Sequence, residues 1–265
     1  MKLKTPPFWY RDTKTSPPLV ERMLAPLAAA YNMGYRAHQS TKAAQKVAAT
    51  VICIGNLNAG GTGKTPTALA LMEILRRQHL ARRPCFLLRG YGGGDRGPFW
   101  VDPTRHNAWN TGDEALILAR AAPTVVSVDR VAGAVLAIRD GTDVIVMDDG
   151  LQNPGIAKDV KIVVINGEMG FGNGRMMPAG PLRQPLDEGL AAADAFILIG
   201  DDRRNAAALL PAGKPLFRAR LEPTAGQLPP REKRYLAFAG LGYPEKFFDF
   251  LREVISYDVV ETVRF

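Results

Sequence analysis

The chain has 265 residues, 46% apolar and 23% charged, the composition of an ordinary soluble globular protein with one large or two small domains. Its two cysteines, Cys53 and Cys85, fall in apolar runs and read as core residues of a reduced protein, and no Cys/His cluster has the spacing of structural zinc. The net charge is +8, and residues 1–50 hold eight Lys/Arg against Asp12 and Glu21; such a basic arm suits an anionic partner, whether membrane headgroups, a phosphorylated substrate or nucleic acid.

The arm carries Phe8, Trp9 and Tyr10, then Pro17-Pro18. Val20, Met23, Leu24, Leu27, Tyr31 and Tyr35 follow at helical spacing, with Pro26 expected to bend the helix. The uncharged run between Arg22 and Arg36 is 13 residues, short of the ~20 a bilayer span needs, and no signal-peptide pattern is present. Two readings stand level: an interfacial helix lying on a membrane, and a helix packed on the domain.

An apolar run at 47–54 leads into G-N-L-N-A-G-G-T-G-K-T-P (55–66), and an apolar-periodic helix is predicted over 66–78. Strand, glycine-rich loop and helix together are the context of a P-loop, in which loop amides and the helix N-terminus cradle phosphate oxygens. The candidates are Asn58, Ala59, Gly60, Gly61, Thr62, Gly63, Lys64 and Thr65, with Lys64 on the β/γ-phosphates and the Thr65 hydroxyl on Mg²⁺. Asn58 stands where the strict pattern has glycine. The competing reading is a glycine-rich turn that caps a helix.

Beyond it, strand and helix alternate: strands at 84–88, 124–128, 143–147, 161–166 and 195–199, helices at 111–121 and 129–140. That alternation predicts an α/β fold, a mainly parallel sheet of P-loop NTPase type covered on both faces, with ligands at the carboxyl ends of the strands. The strand at 143–147 ends in Asp148-Asp149-Gly150. Paired with the P-loop, Asp148 and Asp149 read as Walker-B metal carboxylates; alone they would read as a turn. Gly112-Asp113-Glu114 opens a helix, where acids complement the helix dipole or Asp113 serves as a base for an attacking hydroxyl. The glycine-rich 170–183 run has little helix or strand potential; it reads as a pocket loop with Arg175 and Arg183 as anion contacts, or as a solvated loop. A proline-rich, basic hinge at 222–234 precedes a strand at 235–239, a turn at 239–243, a helix at 244–255 and a strand at 259–263. The expected division is an N-terminal segment 1–45, a P-loop domain 46–222, and a hinge with an incomplete α/β subdomain 223–265.

Taken together, G-N-L-N-A-G-G-T-G-K-T-P (55–66), R-G-Y-G-G (89–93), G-D-E (112–114), D-D-G-L-Q (148–152), G-N-G-R-M-M-P-A-G-P-L-R (172–183) and A-F-A-G-L-G-Y-P-E-K-F-F (237–248) resemble the tetraacyldisaccharide 4′-kinase family, the lipid A 4′-kinases of Gram-negative bacteria. The resemblance implies transfer of the ATP γ-phosphate, with Mg²⁺, to the 4′-hydroxyl of a tetraacylated glucosamine disaccharide 1-phosphate. It implies the lipid A disaccharide precursor and the anionic cytoplasmic face of the inner membrane as partners, with no nucleic acid. Carried over by position, Lys64 and Thr65 serve phosphates and metal, Asp148 and Asp149 the metal, and Asp113 the base. Arg89, Tyr91, Gln152, Asn173 and Arg183 are substrate candidates. Two departures stand out. Gln184 follows the loop arginine where many members have Glu, a weaker Mg²⁺ ligand. The family continues past a V-R-F-like segment into a Pro-Asp-His-His motif, whereas this sequence ends at Phe265 and its histidines are His38, His79 and His106. The expectation is therefore a chain truncated before that motif. Two further readings remain: a membrane-cycling P-loop switch ATPase, and a relative that binds nucleotide without turnover.

Overall fold

The computed structural model describes residues 5–11, 17–41, 43–222, 229–239 and 245–264. Residues 240–243 of the predicted turn, residues 223–228 of the hinge, and Lys2, Lys4, Asp12, Lys14 and Lys42 of the arm lie outside the described residues.

A short 3₁₀ turn, Pro7–Tyr10, precedes helix α1, Leu19–Ser40, which runs on through Pro26 for 22 residues. Strand β1 (Thr50–Gly55) enters the P-loop, and α2 (Lys64–Arg77) leaves it. Then come β2 (Cys85–Leu88), β3 (Phe99–Trp100), α3 (Ala108–Thr111), α4 (Asp113–Ala121), β4 (Thr124–Val126), α5 (Arg130–Arg139), β5 (Val144–Asp148) and β6 (Val160–Asn166). The series continues with α6 (Leu186–Ala192), β7 (Ala195–Ile199), a 3₁₀ turn at Ala206–Leu209 and β8 (Leu216–Ala219). Finally β9 (Arg234–Ala239), α7 (Glu245–Asp249), a π-helical turn (Phe250–Val254) and β10 (Asp258–Arg264) form a separate β-α-β unit.

Eight strands make one sheet in the order β3-β4-β2-β5-β1-β6-β7-β8, parallel throughout except for β3. The predicted α/β architecture with a mainly parallel sheet is the one observed. β1 sits near the middle, between β5 and β6, and its register pairs Ile54 with Asp148. The P-loop and the carboxylates of β5 therefore leave the sheet side by side.

The strands are apolar because both faces are covered. Ile54, Phe86, Leu88 and Val146 point to the face taken by Ala68, Met72 and Leu75 of α2 and Leu118 of α4. Val51, Cys53, Cys85, Leu87, Ile145 and Met147 point to the other, against Ala134 and Ala137 of α5. Val163, Ile165 and Phe196 extend that layer under Leu190 of α6. Each large side chain so buried contributes about 1.5–3 kcal/mol relative to exposure.

The helix predicted over 111–121 is broken in two. Gly112 adopts φ 81°, ψ 156°, so α3 ends at Thr111 and α4 starts at Asp113. A Cβ at Gly112 would stand 2.2 Å from the Tyr91 carbonyl oxygen, and a left-handed φ is costly for any other residue. The 89–93 and 112–114 motifs thus meet backbone to backbone at the carboxyl edge of β2 and β4; Gly94 N donates to Trp109 O at 2.7 Å and Asp95 N to Asn110 O at 3.0 Å. The sequence reading missed β3, α6 and β8, which are short or at the sheet edge.

Candidate active site

α2 starts at Gly63, which caps it in a left-handed conformation (φ 95°) and carries no side chain to satisfy the first amides of the helix. Those amides face outward as anion donors. Among the P-loop residues, Asn58 and Ala59 turn the other way. Asn58 bridges to Leu182 and sends Nδ2 to Gly170 O at 2.9 Å, and the Ala59 amide is spent on Pro181 O at 2.7 Å. The Ala59 amide and the Asn58 side chain are therefore engaged by the 170–183 loop, unlike the stretch from Gly60 onward.

Lys64 Nζ donates to Asn56 Oδ1 at 3.3 Å and lies 3.8 Å from Asp149 Oδ2. Burial pushes its ammonium below the usual lysine range, and Asp149 opposes that shift. Thr65 Oγ1 donates to Asp148 Oδ2 at 3.0 Å, while Asp148 Oδ1 is buried with no hydrogen-bond partner among the described residues. Burial pushes Asp148 up to about 6, against the Thr65 hydrogen bond. An orphaned carboxylate oxygen beside a P-loop hydroxyl is what a Mg²⁺ ion requires, since Mg²⁺ binds through one or two protein oxygens plus phosphates and waters. Among the described residues no group of three or more His, Cys, Asp or Glu side chains is placed to hold a metal ion.

Asp149 has φ 58°, a strained backbone for a non-glycine residue. It is held there from two sides. Its amide donates to Ile54 O at 2.9 Å, and Arg183 Nη1 donates to its Oδ1 at 2.8 Å and Oδ2 at 3.0 Å. Burial would raise its carboxyl, but Lys64 and Arg183 outweigh burial and hold it below the usual aspartate range.

Gln152 joins the neighbouring parts: Nε2 donates to Asn56 O at 3.1 Å and to Gln184 Oε1 at 2.8 Å, and its carbonyl accepts from Gln39 of α1 at 2.9 Å. Asp113 is exposed in the first turn of α4. Of the two acids that open α4, Glu114 is the one whose charge is felt at Lys64 and at Asp148. Arg89 and Tyr91 are exposed on the loop after β2. Asn173, a substrate candidate on sequence, is instead buried inside its own loop, with Nδ2 on Ala179 O at 2.9 Å and Oδ1 accepting from Arg175 N at 3.2 Å. The two loop arginines also point inward rather than to a free anion: Arg175 pairs with Glu21 and Arg183 with Asp149.

Two further residues belong to this region. Asn56 is fully buried and tethers both Lys64 and Gln152; it stands inside the 55–66 motif but ahead of the phosphate candidates, and an asparagine between strand and loop was the available signal. Arg130, 5% exposed, donates to Ser127 O and Val128 O, keeps Nε unpaired among the described residues, and is pushed down to about 10 by burial and by Arg89. With His38, Gln45 and Asn153 it lines a cavity of about 380 Å³ between the end of α1 and the start of α5. Nothing in its sequence surroundings separates it from an ordinary first-turn arginine.

The model of the tetraacyldisaccharide-1-P 4′-kinase family matches residues 20–265. The chain belongs to that family. It is 47% identical over 264 residues to a tetraacyldisaccharide 4′-kinase of Rhodospirillum centenum, covering 99% of this chain and 77% of that protein. It is 48% identical over 252 residues to the enzyme of the same name from Paramagnetospirillum magneticum, with 95% and 75% covered. The fold superposes with a TM-score of 0.76, at 26% identity and over 93% of this chain and 82% of the other, on the crystal structure of the "apo" form of LpxK from Aquifex aeolicus in complex with ATP. Membership of the tetraacyldisaccharide-1-P 4′-kinase family makes the chain an ATP-dependent kinase, and it separates this site from that of a P-loop switch ATPase.

Proposed function

We propose that the chain transfers the γ-phosphate of ATP to the 4′-hydroxyl of a tetraacylated glucosamine disaccharide 1-phosphate, in lipid A biosynthesis. The observation that carries the site assignment is the orphaned Asp148 oxygen beside Thr65, at the mouth of a P-loop whose helix begins without a side-chain cap. Gly60 to Thr65 hold the phosphates through amides and Lys64; Thr65 and Asp148 hold Mg²⁺, with Asp149 beside it. Bound there, Mg²⁺ neutralises charge on the phosphates. Asp113, opening α4 beside the 89–93 loop, accepts the proton of the sugar hydroxyl. Arg89, Tyr91 and Gln152 contribute to acceptor binding, and the Arg130 cavity takes part of an anionic or hydroxyl-rich headgroup.

The lipid acceptor is reached from the cytoplasmic face of the inner membrane, with the N-terminal segment (1–45) lying on it. Support comes from α1, whose polarity is inverted. Glu21 faces inward to Arg11 and Arg175, Arg36 meets Glu188, and Gln39 meets Gln152, while Leu19, Val20, Met23, Leu27 and Met33 are exposed. Apolar-out, polar-in is the pattern of a helix with lipid on one side. Among the described residues no helix is long and apolar enough to cross a membrane.

The test is direct. With Mg-ATP and the detergent-dispersed disaccharide, the protein yields a product one phosphate heavier, and Asp113→Asn lowers kcat more than Glu114→Gln. Absence of the phosphorylated product overturns the assignment; the reverse order of the two variants moves the base to Glu114.

A further inference from the structure

Glu21 in the first turn of α1 is 0% exposed, a position in which a carboxylate persists only when its charge is answered. Two guanidiniums answer it. Arg11, at the end of the aromatic arm, places Nε at 2.8 Å and Nη2 at 3.2 Å from its two oxygens, and Arg175 of the glycine-rich loop pairs with Oε1. Arm and loop are stitched further along. Trp9 Nε1 donates to Pro178 O at 3.0 Å, Asn173 N donates to Trp9 O at 2.7 Å, and Arg204 reaches the carbonyls of Tyr10 and Arg11. The Tyr10 ring is partly buried with its hydroxyl toward Asn58, the residue leading into the P-loop.

The other end of the same loop lies on the nucleotide site. Pro181 O accepts from Ala59 N, Arg183 N donates to Leu57 O at 2.8 Å, and the Arg183 guanidinium grips both oxygens of Asp149. Between these two attachments the loop has isolated bridges but no helix or strand of its own. Internal hydrogen bonds, Leu182 N to Arg175 O at 3.0 Å and Met177 N to Leu182 O at 2.9 Å, join the Arg175 end to the residue before Arg183, so that a shift at one end is carried to the other.

We propose that Glu21 is a positioning residue of the kinase: it clamps the N-terminal arm and α1 to the 172–183 loop, and through that loop it keeps Arg183 on Asp149 and the P-loop entrance in register. The proposal rests on the reading of Asp149 as a carboxylate of the metal site. Asp149 sits in a strained conformation, and a strained residue holds its place only while its surroundings over-determine it. Arg183 is one of those surroundings, and Glu21 fixes the start of the segment that carries it. The P-A-G-P-L-R run is then a connector between the helix that faces lipid and the carboxylate beside the phosphates.

The experiment is steady-state kinetics of the whole chain carrying Glu21→Gln, Arg175→Ala, both together, and Arg175→Lys, beside Asp149→Asn. Arg175 is half exposed and Arg11 still answers the Glu21 carboxylate in its absence, so Arg175→Ala disturbs the fold less than Glu21→Gln does. Expected is a rise in KM for Mg-ATP of about three- to tenfold in Glu21→Gln and Arg175→Ala, the scale of losing a charge-assisted hydrogen bond that acts at one remove. The double variant goes no further than either single one, because the two act as a unit. Arg175→Lys returns to within about twofold, and KM for the disaccharide stays unchanged throughout. A loss confined to kcat or to melting temperature, with KM for Mg-ATP at the wild-type value, overturns the clamp and leaves Glu21 a structural ion pair. Asp149→Asn separates the two readings: a shifted Mg²⁺ dependence there without any KM change in the clamp variants sinks the clamp alone. A wild-type Mg²⁺ dependence in Asp149→Asn sinks the metal reading on which it rests.

Discussion

Asp148 has two oxygens in unequal circumstances: Oδ2 accepts from Thr65, while Oδ1 is buried without a partner among the described residues. Its charged form is disfavoured by folding, since burial raises it from 3.8 to about 6. At neutral pH and without Mg²⁺ the ionised group therefore costs stability. Asp148→Asn should raise the melting temperature of the Mg²⁺-free protein, by roughly 1–2 kcal/mol or ~2–6 °C, while lowering Mg²⁺-dependent turnover by about 100-fold or more. Calorimetry and a kinase assay on one preparation check both halves. A variant less stable than wild type without metal would refute the first. The two thiols are a contrasting case. Burial pushes both Cys53 and Cys85 up to about 12, and both are free and enclosed in the core. Neither should react with a thiol reagent at pH 7 until the protein unfolds; labelling followed by mass spectrometry, native against denatured, checks it.

At the scale of elements, two joints carry the site. The first is the break at Gly112, where α3 yields to α4 and the 89–93 loop packs against it. Gly112→Ala meets both a left-handed φ and the Tyr91 carbonyl, and should destabilise by about 2–4 kcal/mol. Activity should fall further than the folded fraction does, because Asp113 is the next residue; urea titration beside kcat measures the two. The second joint is the attachment of α1. The Arg11 hydrogen bond, outweighing burial, holds Glu21 below its ordinary value of 4.5. A depressed carboxylate stabilises the fold above the unfolded value and loses that contribution as pH falls through the folded one. Stability should therefore drop on the acid side of pH 4.5, and Glu21→Gln should flatten that limb while lowering stability at pH 7. Thermal melts from pH 3 to 7 decide it.

For the whole molecule, the arrangement places an apolar helix face beside a phosphate site at the carboxyl edge of the sheet. With Leu19, Val20, Met23 and Leu27 turned outward, binding to vesicles of anionic phospholipid should combine apolar burial with a salt-sensitive electrostatic part. Leu27→Asp should cut vesicle binding about tenfold, a loss of roughly 1.4 kcal/mol, with the melting temperature unchanged since the side chain is exposed. Rising ionic strength should weaken the wild type. Sedimentation with vesicles at two salt concentrations reads both, and binding indifferent to Leu27→Asp would place the lipid contact elsewhere.

Much of the fold and half of the site were legible in the residues. Strand, glycine loop and helix at 47–78, and an apolar strand running into Asp148-Asp149, are local patterns whose spacing already implies a phosphate cradle beside a metal carboxylate. The alternation of apolar strands with helices implied a parallel sheet, because only strands buried on both faces are apolar throughout. What stayed out of reach were contacts between residues far apart in the chain. That Asn58 and Ala59 bond to the 170–183 loop followed from Leu182 and Pro181 lying alongside them. That Arg175 and Arg183 turn inward depended on Glu21 and Asp149, 154 and 34 residues distant, arriving at the same place. Arg130 looked like any helix-opening arginine until the sheet buried it beside Arg89. Hydrophobic period and loop chemistry are written along the chain; the direction of a charged side chain is settled by whichever opposite charge the fold delivers to it, and folding alone brings that partner within reach.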